Sequence, residues 1–209
     1  MRPKPAIVFD LDGTLVDSLD DILDTFLATF DELGEAGPER SMVRALVGRP
    51  LDEMYSGFVP PARVATFVAA YRERYRRHLA DKTRPYPGVV DVLSELAERG
   101  YARLVATTKR SVTARELVAA VGLTGYLDHV QGTDGFPHKP APDVIMHALA
   151  AAGARGAWMV GDTTSDIVAG RAAGLRTFGV TWGTHDAATL AAAEPDVVEP
   201  TIGLLLRLL

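Results

Sequence analysis

The sequence predicts an α/β fold, a doubly wound parallel sheet with an all-helical insertion after its first strand. Three observations predict it. Short, continuously apolar runs recur along the chain, and several end in a carboxylate or hydroxyl residue. Amphipathic stretches of helical period separate these runs, most of them closed by a glycine. Between residues 18 and 84 the rhythm breaks, and no convincing buried strand occurs.

The first strand is Ala6-Ile7-Val8-Phe9, apolar without alternation, as in a strand covered on both faces. Residues 18–84 then read as helical. Ile22, Phe26, Phe30 and Leu33 form one stripe, and Val64, Phe67, Val68, Tyr71 and Tyr75 form another. Glycine and proline at 34–38 and 59–61 punctuate them. The alternation resumes with Val89, Val92, Leu93 and Leu96 at helical spacing, stopped by Gly100. Leu104-Val105-Ala106 is the next buried strand, and residues 112–121 are a helix closed by Gly122. His129-Val130-Gln131 is a weaker strand. A helix over 142–152 has proline at its start and Gly153 after its end. Ala157-Trp158-Met159-Val160 and Thr177-Phe178-Gly179-Val180 are strands on either side of a helix over 165–173, which Gly174 closes. The alanine-rich stretch 187–193 fits a helix, and Asp196-Val197-Val198 a weak final strand. Strands alternating with helices of this size specify a parallel sheet.

Composition narrows the function. The 209 residues suffice for one domain and an insertion. A net charge of -5 gives no clustered basic surface for a nucleic-acid polymer, yet a few cations in one pocket still suit a small phosphate ester. There is no cysteine, which excludes disulfides, thiolate catalysis and zinc-cysteine sites. The first apolar run ends at Asp10, too early for a signal peptide, and no run approaches a membrane span. The expectation is a soluble, cytoplasmic protein without a membrane partner. Its oligomeric state is not readable.

In an open parallel sheet, ligands bind beyond the carboxyl ends of the strands. Here those ends deliver Asp10, then Thr107 and Thr108, then Gly161-Asp162. Lys139 follows the weak strand at 129–131 and falls on the same side. Asp10 and Asp12 share a side if the chain between them stays extended.

Asp10-Leu11-Asp12-Gly13-Thr14-Leu15-Val16-Asp17-Ser18 resembles the first motif of the haloacid dehalogenase superfamily. Thr107, Lys139 within His138-Lys139-Pro140, and Gly161-Asp162-Thr163-Thr164-Ser165-Asp166 resemble its second, third and fourth motifs, in order. The likeness runs from about residue 6 to residue 182 and is nearest to phosphoglycolate phosphatases, whose helical cap follows the first motif. It implies a Rossmann-like core over 1–17 and 85–209, with a cap domain over 18–84. It implies a phosphatase that uses Mg²⁺ and a phosphorylated aspartate to hydrolyse a small phosphate ester. Asp10 is then the nucleophile. Asp12 is the general acid and base. Thr107 and Lys139 contact the transferring group. The metal is held by Asp10, the backbone carbonyl of Asp12, and Asp162, with Asp166 a more distant support through water or Lys139. Gly13, Thr107, Thr108 and Arg49 are the candidate substrate-binding residues. Thr108 stands where this branch often has asparagine, and a hydroxyl cannot copy an amide's two donors.

Plainer roles stand beside these. Asp162 suits a helix N-cap and Asp166 a helix surface. Arg72, Arg74, Arg76, Arg77 and His78 read as one solvated helix face. Trp182 reads as a packing residue, and His138 and His185 have no assigned role. The other functions to weigh are a phosphosugar mutase, which shares the aspartyl-phosphate, and a phospho-accepting signalling domain.

Overall fold

The apolar runs assemble into one sheet in a computed structural model that describes residues 3–209, so the first two residues of the expected 1–17 segment lie outside it. In chain order the elements are β1 (Pro5–Phe9), β2 (Val16–Asp17), α1 (Leu19–Glu32), α2 (Arg40–Arg44), α3 (Leu51–Ser56), α4 (Pro61–Arg77), β3 (Arg84–Pro85), α5 (Val89–Glu98), β4 (Ala102–Thr107), α6 (Ser111–Ala120), β5 (His129–Gly132), α7 (Asp143–Ala152), β6 (Arg155–Gly161), α8 (Thr164–Ala172), β7 (Arg176–Val180), α9 (Ala187–Ala191) and β8 (Val197–Glu199). The main sheet runs β5-β4-β1-β6-β7-β8, with every pairing parallel. Both weak strands of the sequence reading are its edges.

The absence of alternation in β1 now has its cause. Ile7 and Phe9 face one way, packing with Val105 and Val160 against α5 and α6. Ala6 and Val8 face the other way, packing with Leu104, Ala106 and Met159 against α7 and α8. Both faces are covered, so both registers must be apolar.

Register also sets where the chemistry falls. Phe9 pairs with Val105 on one side and Val160 on the other, and β4 and β6 run on for two residues and one residue beyond these partners. The Asp10 amide still donates to the Val160 carbonyl at 2.8 Å, which fixes the backbone at that position. After it the chain leaves the sheet and turns through residues 11–15. Extension is therefore not what places Asp12 near Asp10; a turn is.

Residues 19–77 form four helices around an aromatic cluster. Phe26 stacks on Tyr55 with ring centres 4.1 Å apart, and Phe67 lies 4.7 Å from Phe30 and 5.3 Å from Tyr55. Both predicted stripes meet here. The chain leaves and returns through a two-stranded antiparallel ribbon, β2 with β3. At two residues per strand, its sequence signal is below any periodicity. Asp21 reinforces the return. Its buried carboxylate accepts from the amides of Lys82 and Thr83 and from the Thr83 hydroxyl. No helix among the described residues is long and apolar enough to cross a membrane.

Candidate active site

Adjacent strand ends bring Asp10, Asp162 and Asp166 together. Each offers a carboxylate oxygen, and these oxygens lie within 4.8 Å of one another. All three side chains are buried, and so is Lys139. The Lys139 ammonium donates to Asp10 Oδ1 at 2.5 Å, to Asp166 Oδ1 at 2.5 Å and to the Ala106 carbonyl at 2.9 Å. All three of its protons have acceptors, which meets the requirement for burying a charge. Burial opposes the ammonium, but Asp10 and Asp166 more than offset this and hold its pKa above the usual lysine value.

The carboxylates are pushed the other way. Burial lifts Asp10 well above the ordinary carboxylate range against the pull of Lys139, and Asp166, Asp162 and Asp12 add repulsion. Burial, then Asp166, raises Asp162 to about 6, against hydrogen bonds from Thr184 and Thr14. More negative charge is packed here than one lysine neutralises. Asp10 Oδ2 takes no hydrogen bond among the described residues, and Asp10 lines a cavity.

Two of the plainer roles are overturned. Thr163, not Asp162, is the N-cap of α8. Asp162 instead accepts from the Thr14 hydroxyl at 2.9 Å and the Thr184 amide at 2.7 Å. Asp166 is no surface residue, at 1% exposure. Its Oδ1 takes Lys139, and its Oδ2 takes the amide and hydroxyl of Thr163. Asp166 thus stands behind Lys139, in keeping with a supporting part.

Glycines allow this density. Gly13 has φ +85, and a Cβ there would fall onto the Asp162 carboxylate. Gly183 presses on Asp162 from the other side. Replacing Gly13 with alanine is expected to displace Asp162 and lower turnover by roughly 100-fold, as misplacement of about 1 Å does. Its check is a kinetic comparison with the wild type beside a thermal melt.

Asp12 is reached from a second loop. Its Oδ1 accepts from the Ser18 hydroxyl at 2.5 Å and pairs with the Lys109 ammonium at 2.7 Å. The same ammonium lies 4.9 Å from the ring centre of Tyr75 on α4. Lys109 therefore joins the sheet edge, the acid and the helical segment, a role the sequence reading did not assign. Its one signal was its place two residues after Thr107. The Thr107 hydroxyl oxygen accepts from the Lys109 amide at 3.2 Å, which leaves its proton free to donate.

A cavity of about 530 Å³ opens over Asp10 and Asp12. Thr108 and Arg49 line it, while Gly13 lines a neighbouring cleft with Trp182. Thr107 and Asp162 are buried and do not line it. Trp182 packs beside Tyr86 and donates to the Thr14 carbonyl at 3.3 Å. His138 lines the cavity, and His185 accepts from the Thr164 amide at 3.1 Å. The arginine face lies at the surface. Arg74, Arg76, Arg77 and His78 make ion pairs there, and Arg72, also exposed, lines the cavity.

The family described as haloacid dehalogenase-like hydrolase matches residues 7–180. The "Probable phosphatase IndB" of Dickeya dadantii is 38% identical over 207 residues, 95% of this chain and 90% of that protein. A phosphoglycolate phosphatase of Neisseria gonorrhoeae is 33% identical over 212 residues, covering 96% and 89%. Among solved structures, a haloacid dehalogenase-like family hydrolase of Streptococcus pneumoniae superposes with a TM-score of 0.89 at 30% identity, over 100% of both chains. The chain belongs to the haloacid dehalogenase-like hydrolases and is a phosphatase of that family.

Proposed function

We propose that this phosphatase hydrolyses a small phosphomonoester, phosphoglycolate or a compound of similar size and charge, with Mg²⁺ and through a phosphorylated Asp10. One observation carries the reading. A carboxylate with one unengaged oxygen, Asp10, is buried at a strand end with Lys139 at 2.5 Å and two further carboxylates beside it. Residues 1–17 and 85–209 serve as the catalytic core in this reading, and residues 18–84 as the cap.

Asp10 Oδ2 attacks phosphorus as the ester P–O bond breaks, and Asp12 gives its proton to the leaving oxygen. Asp12 then takes a proton from water as that water attacks phosphorus. The bond to Asp10 breaks, and phosphate leaves. Thr107 and Thr108 donate to the phosphoryl oxygens, and the Lys139 charge beside Asp10 stabilises the negative charge that builds between these states. Ser18 and Lys109 hold Asp12 in place. Closure of the cap over the site excludes bulk water during the first step.

Hard oxygen donors suit Mg²⁺. Asp10 and Asp162 supply them here, the Asp12 carbonyl adds a third, and Asp166 supports the set through Lys139. The raised values of Asp10 and Asp162 have the same meaning, since crowded carboxylates are relieved by a cation. Bound there, Mg²⁺ offsets the repulsion between nucleophile and phosphate, about 4 kcal/mol for two unit charges roughly 4 Å apart at an effective dielectric near 20.

The test is phosphate release from a panel of small phosphate esters with and without Mg²⁺. Release that is equal in both conditions would count against the metal. A stability measurement adds to it. A carboxyl raised in the fold stabilises most below its ordinary pKa of 3.8, and that stabilisation is lost as pH rises through about 6 for Asp162. Mg²⁺ is therefore expected to raise the melting temperature more at pH 8 than at pH 5. An equal rise at both would contradict the assignment.

A further inference from the structure

We propose that the substrate carries a second anionic group, a carboxylate or a second phosphoryl group, bound between Arg72 and Arg110. This deepens the phosphatase reading and rests on it. Five lysine and arginine side chains line the cavity over Asp10. Two of them are engaged, Lys139 with Asp10 and Asp166, and Lys109 with Asp12. The other three, Arg49, Arg72 and Arg110, make no ion pair and no side-chain hydrogen bond among the described residues. Most other arginines of the helical segment behave differently. Arg40, Arg63, Arg74, Arg76 and Arg77 each meet a carboxylate, while Arg44, which lines the neighbouring cleft, does not.

Arg72 and Arg110 reach the cavity from different elements, and both are exposed to solvent. Arg72 is on α4, and Arg110 is the residue before α6 at the sheet edge. The Arg72 guanidinium is held below its usual pKa, first by partial burial and then by the charge of Arg110, with Asp52 opposing. Besides Asp10, Asp12 and Asp166, which Lys139 and Lys109 engage, Asp52 and Asp134 line the cavity, two carboxylates to three guanidiniums. Like charges turned into one cavity from two elements are mutually repelled. An oxyanion between them converts that repulsion into charge-assisted hydrogen bonds, for which a guanidinium's planar fork is suited. Because the two arginines sit on different parts of the chain, the second anion would also favour the closed arrangement of helical segment and sheet. The cavity's size, about 530 Å³, suits a compact doubly anionic molecule.

The experiment compares three probes: a phosphorylated hydroxy acid, inorganic pyrophosphate, and glycerol phosphate, whose tail is neutral. The wild type is expected to favour at least one anionic probe over glycerol phosphate in kcat/KM. Arg72→Ala and Arg110→Ala are each expected to cut that preference about tenfold, the scale of one charge-assisted contact. Loss confined to the hydroxy acid assigns a carboxylate, and loss confined to pyrophosphate assigns a phosphoryl group. Equal losses on all three probes, or an unchanged preference, overturn the proposal. Calorimetric titration of both anionic probes into Asp10→Asn, with and without Arg72→Ala, decides it independently of turnover. Weaker binding of an anionic probe without Arg72 supports it, and unchanged affinity overturns it. Failure of the wild type to release phosphate from any probe would defeat the Asp10 mechanism, while the titration would still answer for the arginines.

Discussion

Asparagine in place of Asp10 lowers phosphate release by roughly 10,000-fold or more, the scale of losing a nucleophile. The same variant melts no lower than the wild type in metal-free buffer. Both expectations have one cause. The charged form of Asp10 is disfavoured by burial and by three neighbouring carboxylates, with only Lys139 in its support. An amide of the same shape removes the disfavoured charge along with the attacking oxygen. Activity and stability should therefore move in opposite directions, which loss of a merely structural residue would not produce. Phosphate assay and thermal melt on one preparation decide it. Retention of activity within tenfold would remove Asp10 from the nucleophile's role.

Methionine in place of Lys139 is expected to destabilise the fold by about 3–5 kcal/mol, the cost of removing one partner from a buried ionic pair. Turnover should fall by roughly 100- to 1,000-fold, as when one transition-state donor is lost. Methionine keeps the length but leaves Asp10, Asp166 and the Ala106 carbonyl without their shared donor. Without the ammonium, Asp10 loses the one group that opposes its raised pKa and binds a proton still more readily in the fold than in the unfolded chain. Stability of the variant should then be lost as pH rises, and its deficit should be smaller at pH 5 than at pH 8. Denaturant midpoints at both pH values test this, and a variant as stable as the wild type would mean that Lys139 is not neutralising the cluster.

The sheet was legible because burial on two faces leaves a plain mark, as in Ala6-Ile7-Val8-Phe9. The edge strands were fainter because one side of each is open, and their central residues are only half-buried. The short helices α2 and α3 were not read at all. At five and six residues they are too brief for a periodic signal and owe their form to packing on α1 and α4. In the site, Asp10, Thr107 and Asp162 were legible because each follows an apolar run at a strand end, and Lys139 because of its place after the weak strand and within His138-Lys139-Pro140. Lys109 was not, since its meaning lies in Asp12 and Tyr75, which are 97 and 34 residues away in sequence. Arg72 looked like its neighbours on α4, and only the direction of the helix separates it from them.

The sequence by itself determined the alternation of strand and helix, the family, and which polar residues stand at the strand ends. Local chemistry suffices for these, because apolar runs, glycine stops and adjacent motif residues are read within a few positions. The tertiary structure decided which charges pair and which are left over. Asp166 became a buried support, Asp12 was tied to Lys109, and Arg49, Arg72 and Arg110 were left facing the cavity. An ion pair depends on distance and on exclusion of water, and both are set only when remote segments pack together.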